Sequence, residues 1–147
     1  MTDPRFSISV DIKAPLDRVF EVMADTERWH EWTPSVTSIK RLDHGGFVVG
    51  SKAVIRQPKF PPALWTVTAI EPGHGFTWEN RAPGIRVIAH HSAEAIASGS
   101  RVTLSLRYEG FLATLLARVT RSITHRYLAM EASGLKARSE NPFFRHS

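Results

Sequence analysis

A chain of 147 residues with 42% hydrophobic and 22% charged residues suits one folded domain, long enough to bury a core without metals or cross-links. Cysteine is absent, which excludes disulfides, thiol catalysis and cysteine-ligated metal centres. The net charge of +5 gathers toward the C-terminus, where Arg118, Arg121, Arg126, Lys136 and Arg138 are set against one acid, Glu131.

The opening MTDPRFSISVDIKAP holds no uninterrupted apolar run, so it does not read as a signal peptide. No window approaches the roughly 20 apolar residues of a membrane span, and a cytoplasmic protein is expected. Within this opening, residues 5–12 alternate strictly, placing Phe6, Ile8, Val10 and Ile12 on one face of a strand. Pro15 then suits a helix start, and Leu16, Val19, Phe20 and Met23 share one helical face. A second short helix is expected from Glu27 to Trp32, stopped by Thr33-Pro34.

Six further strands follow, at 36–43, 48–57, 64–71, 75–81, 85–96 and 101–109. Between them lie turn residues such as His44-Gly45-Gly46, Pro72-Gly73, Pro83-Gly84 and Ser98-Gly99-Ser100. Short links between alternating runs imply an antiparallel meander. After Gly110 the period becomes helical. Leu112, Leu116, Val119, Ile123, Tyr127, Met130 and Gly134 form one stripe, predicting a helix over 111–138 that is about 40 Å long. A polar tail from 140 to 147 completes a single α+β domain.

This order implies a hollow. Seven antiparallel strands with one buried face have only one long amphipathic helix to cover them, so the sheet must curve around it. A helix about 10 Å wide cannot fill that concavity, and space remains for a small molecule. The expected sheet wall combines Ile55, Trp65, Val67, Phe76 and Trp78 with Val87, Ala89, His91, Leu106 and Tyr108. Val119, Ile123 and Tyr127 should face it from the helix, and Trp32 from the short helix near the mouth.

The opening ISVDIKAPLDRVFEVMADTERWHEWTP, the strands VGSKAVIRQP and LWTVTAIEPGHGFTWE, and the ending MEASGLKARSE resemble the START-type helix-grip superfamily (SRPBCC). Within it they are most similar to the polyketide cyclase/dehydrase and lipid-transport group. The paired Trp29 and Trp32 with Pro34, and Trp65-x-Val67, are the most specific pieces. The resemblance spans nearly the whole chain. It implies a hydrophobic ligand pocket in a superfamily that includes carriers, hormone receptors and aromatic-polyketide cyclases, so fold alone does not fix function.

Few residues suggest chemistry. Adjacent on a strand, His90 and His91 must point to opposite faces, His91 inward by parity with Ala89. His91 and Tyr108 are the candidate acid–base groups should the chain be a cyclase- or aromatase-like enzyme. No histidine spacing makes a metal site, and neither a phosphate-binding loop nor a nucleophile elbow is present, so no metal or cofactor is expected. The expected partner is a small apolar molecule held by a carrier or sensor. The basic helix reads as a solvated face ahead of a nucleic-acid or membrane-surface contact.

Overall fold

Alternation in the sequence becomes strand β1 (Arg5–Ile12), with Phe6 and Ile12 buried. The computed structural model describes residues 4–141, so nearly all of the expected tail lies outside the described residues. Helix α1 (Leu16–Ala24) starts directly after Pro15 and buries Val19, Val22 and Met23. A short 3-10 helix (Thr26–Glu31) follows and buries Trp29, whose indole N–H donates to the Met23 carbonyl at 3.0 Å.

The remaining strands are β2 (Ser38–Arg41), β3 (Lys52–Arg56), β4 (Ala63–Glu71), β5 (Gly75–Ala82), β6 (Ile85–Ile96) and β7 (Gly99–Glu109). They form one seven-stranded sheet in the order β1-β7-β6-β5-β4-β3-β2, antiparallel throughout. β2 and β3 are shorter than the expected 36–43 and 48–57. Gly50 lies at φ 95°, and the Ser51 amide and hydroxyl bind back to Val48, so 48–51 is a turn with Val48 and Val49 exposed. In β4 the register slips between Val67 and Ala69, leaving Thr68 as an extra residue. Such a bulge bends a strand and sharpens its twist, which helps this sheet curl.

The single helix expected over 111–138 is instead two. α2 (Ala113–Val119) and α3 (Arg121–Glu140) part at Thr120, whose hydroxyl donates to the Leu116 carbonyl at 2.7 Å. This back-bonding by threonine competes with regular helix geometry. Ahead of α2, Gly110 takes φ 111°, and a Cβ there would fall on the Gly84 carbonyl of the β5–β6 turn. The close crossing needs glycine.

The architecture is α+β helix-grip: a curved antiparallel sheet closed by the C-terminal helices. Among the described residues no helix is long and apolar enough to cross a membrane.

Candidate functional site

The concave face of the sheet is built in cross-strand rows. One row runs Phe76, His91, Leu104 and Ile8 across β5, β6, β7 and β1. The next runs Val67, Trp78, Ala89, Leu106 and Phe6, and a third runs Asn80, Val87 and Tyr108. Phe76 and Leu104 flank His91 in the first row, each fully buried. In the second row Ala89 stands between Trp78 and Leu106, and its small side chain leaves room. Opposite it, the C-terminal helices and the break between them present Thr120 and Thr124 beside Leu116. The outcome is a cavity of about 400 Å³, within the range of small-molecule sites.

Nine of the residues expected at the wall line this cavity: Ile55, Trp65, Trp78, Val87, Ala89, His91, Leu106, Tyr108 and Tyr127. Five do not. Val67 and Phe76 share the inward face but are consumed by the core behind it. Trp32 lies against α3, since a Cβ on Gly134 would fall on its carbonyl and touch its ring. It therefore does not stand at the mouth, and its neighbour Trp29 lines the cavity instead. Val119 is exposed and Ile123 only half-buried, because the inward stripe runs through Thr120, Thr124, Leu128, Glu131 and Leu135. That is one residue beyond the apolar stripe legible in the sequence, a rotation of about 100°.

The shifted stripe brings in a carboxylate. Glu131 lines the cavity with its side chain 16% exposed, and His91 Nε2 lies 3.1 Å from its Oε1. A carboxylate acceptor places a hydrogen on Nε2. The imidazole stacks on Phe76 with centroids 4.4 Å apart and meets Trp29 edge-on at 5.3 Å. Nδ1 is buried and without a hydrogen-bond partner. His90 turns to the outer face, where Nδ1 pairs with the Thr77 hydroxyl at 2.6 Å.

Tyr108 closes a second polar cluster. Its hydroxyl is 3.2 Å from both Thr120 Oγ1 and Thr124 Oγ1. With the Thr120 proton committed to Leu116, the chain runs in one direction. Thr124 donates to Tyr108, Tyr108 to Thr120, and Thr120 to the carbonyl. At the sheet end the Tyr127 hydroxyl donates to the Pro58 carbonyl, and its ring meets Phe60 edge-on at 5.9 Å. Trp65 contributes a buried indole N–H that has no protein partner. Glu131, Thr120 and Thr124 were not legible as cavity residues, since each reads in the sequence as a solvated helix position.

These features define a fold with an interior ligand-sized space, and comparison with known proteins agrees. The chain belongs to the polyketide cyclase/dehydrase and lipid transport family, whose profile matches residues 3–140. Similar solved structures include a hypothetical protein from Helicobacter pylori, 17% identical with a TM-score of 0.79, covering 94% of this chain and 89% of that one. The Zhui aromatase/cyclase from Streptomyces sp. R1128 is 14% identical with a TM-score of 0.74, covering 92% and 93%. A START superfamily protein from Mycobacterium smegmatis is 12% identical with a TM-score of 0.72, covering 90% and 97%. At such identities the likeness carries the fold. No curated protein matches the chain.

Proposed function

We propose that the chain binds one small hydrophobic molecule, lipid-, polyketide- or aromatic-like, inside the cavity and serves as its carrier or sensor. The observation that carries this reading is the cavity of about 400 Å³ walled by Trp65, Trp78, Val87, Leu106 and Tyr108, where Ala89 and two threonines keep the space open. Apolar walls supply affinity, and a few fixed polar groups supply orientation. The test is titration with the apolar fluorophore N-phenyl-1-naphthylamine. Saturable one-to-one binding is expected for the native protein and none for Ala89→Trp, whose indole fills the space. An absence of saturable binding by the native protein would sink the reading.

A second reading is acid–base catalysis of the cyclase or aromatase kind, and the His91–Glu131 pair on the cavity wall favours it. One structural neighbour is named an aromatase/cyclase. Binding ranks ahead of it on two grounds. Nδ1 of His91 is enclosed among aromatic rings, and the Tyr108 proton is already donated to Thr120. A general base must lie within hydrogen-bond reach of the proton it removes. Should a substrate be found, His91→Ala and Tyr108→Phe that retain full turnover would eliminate the catalytic reading.

A further inference from the structure

The outer side of α2 and the turn before it carry apolar side chains that nothing among the described residues covers. Phe111, Leu115 and Val119 recur every four residues and are 86%, 59% and 72% exposed. Leu115 and Val119 stand one above the other on the helical surface, and Phe111 sits in the turn just ahead of it. Phe111 leans over the β5–β6 turn, its ring close enough to crowd a Cβ placed on Gly84. The same helix turns Leu116 inward to the cavity, together with Thr120 at the break.

Beside this stripe lies a second recess of about 250 Å³ between β1, α2 and the start of α3. Among the described residues its polar lining is Arg5, Thr114, Arg118, Arg121 and His125, with no carboxylate. Among the described residues neither Arg118 nor Arg121 takes part in an ion pair. Two cations farther along α3 differ. Arg138 is buried on Glu31 and Lys136 is held by Glu140. At the nearby end of β7, Glu109 is offset by Arg86 and Arg107, each 3.0 Å away. Arg118 and Arg121 therefore border the apolar stripe with no paired carboxylate among the described residues.

We propose that this end of the molecule docks on an anionic phospholipid surface. Phe111, Leu115 and Val119 enter the headgroup–acyl boundary, and the Arg118–Arg121 recess takes a lipid phosphate. Exposed apolar groups flanked by cations on a helix are the pattern that such interfaces select. Charge decides against a second copy of this chain as the occupant, because a two-fold contact would set like arginines against one another. Docking by this helix would bring the bilayer to the element that also walls the cavity, giving an apolar ligand a route that avoids water.

The test is co-sedimentation with phosphatidylcholine vesicles made with and without phosphatidylglycerol. Native protein is expected to bind the anionic vesicles and not the neutral ones, with binding that weakens as salt rises. Each basic residue beside an anionic surface is worth roughly fivefold in binding. Arg118→Glu with Arg121→Glu should therefore lose at least about twentyfold. Phe111→Ser with Leu115→Ser should lose binding with the charges intact, and both variants should melt like the native protein, since all four side chains are exposed. Millimolar inorganic phosphate should not displace the protein from vesicles; displacement would mark a free-phosphate site and overturn lipid docking. Equal binding to neutral vesicles, no binding at all, or variants that bind as the native protein does would each overturn it. So would a concentration-dependent dimer abolished by the Phe111 and Leu115 changes. Ala89→Trp, which fills the cavity, should still bind vesicles, so the docking and cavity proposals fail separately.

Discussion

At position 89 an alanine sits where the rows on either side carry His91 and Val87, and the size of the cavity depends on it. Ala89→Trp should remove ligand binding at a packing cost of about 1–3 kcal/mol, measured by urea unfolding. His91 and Glu131 are coupled by their 3.1 Å contact, so their substitutions should not add. His91→Phe keeps a flat ring on Phe76 but strands the Glu131 carboxylate at an apolar wall, and should cost about 1–3 kcal/mol. Adding Glu131→Leu should recover most of that loss, and strictly additive costs in the double variant would contradict the coupling. Gly134 faces a different constraint. Helix propensity favours alanine by about 1 kcal/mol, yet the new Cβ would overlap the Trp32 carbonyl. Overlap with backbone cannot be relieved by a rotamer change, so Gly134→Ala should lower the melting temperature, and a rise would refute the contact. The inward turn of His91 was legible from parity in β6. Its partner was not, because a lone acid on a helix looks like any solvated position until the helix phase is known.

Among the elements, the strands were the most legible and the helix phase the least. β1 and β6 follow from alternation and turn residues to the residue, whereas 48–51 continues the alternation while folding into a turn around Gly50. For α2 and α3 the apolar stripe pointed to Val119, Ile123 and Tyr127 as inward positions, and of these Tyr127 lines the cavity. A cavity inverts that rule: the side facing it is lined by Thr120, Thr124 and Glu131, so the usual contrast between an apolar inside and a polar outside is weak in α3. The C-terminal end of α3 is held by charge. Arg138 bonds Glu31 of the 3-10 helix, and Glu140 takes Lys136 and the Lys13 amide. The Arg138 guanidinium holds the Glu31 carboxyl below its usual range, and the Lys136 ammonium does the same for Glu140. A carboxyl with a lowered folded pKa stabilises fully above its unfolded value and loses that contribution as pH falls through the folded one. Acid should therefore loosen α3 below the ordinary carboxylate range. Glu31→Gln with Glu140→Gln should flatten the acid limb of a stability–pH profile, and an unchanged limb would show that these pairs contribute nothing.

For the whole molecule, the element order alone required a hollow, because one helical segment cannot fill a seven-stranded arc. The sequence could not reveal which positions that hollow would occupy, since lining a cavity and filling a core draw on the same inward face. Phe76 and Val67 went to the core, and Trp65, Trp78 and Val87 to the wall. Small side chains opposite one another mark the difference, and their pairing across the sheet and helices exists only in three dimensions. Native mass spectrometry of protein purified without delipidation, beside Ala89→Trp prepared identically, tests the central claim most directly. An apolar compound retained one-to-one by the native chain and missing from the variant is the predicted result. Equal retention by both, or by neither even after incubation with apolar compounds, would contradict a ligand-holding interior.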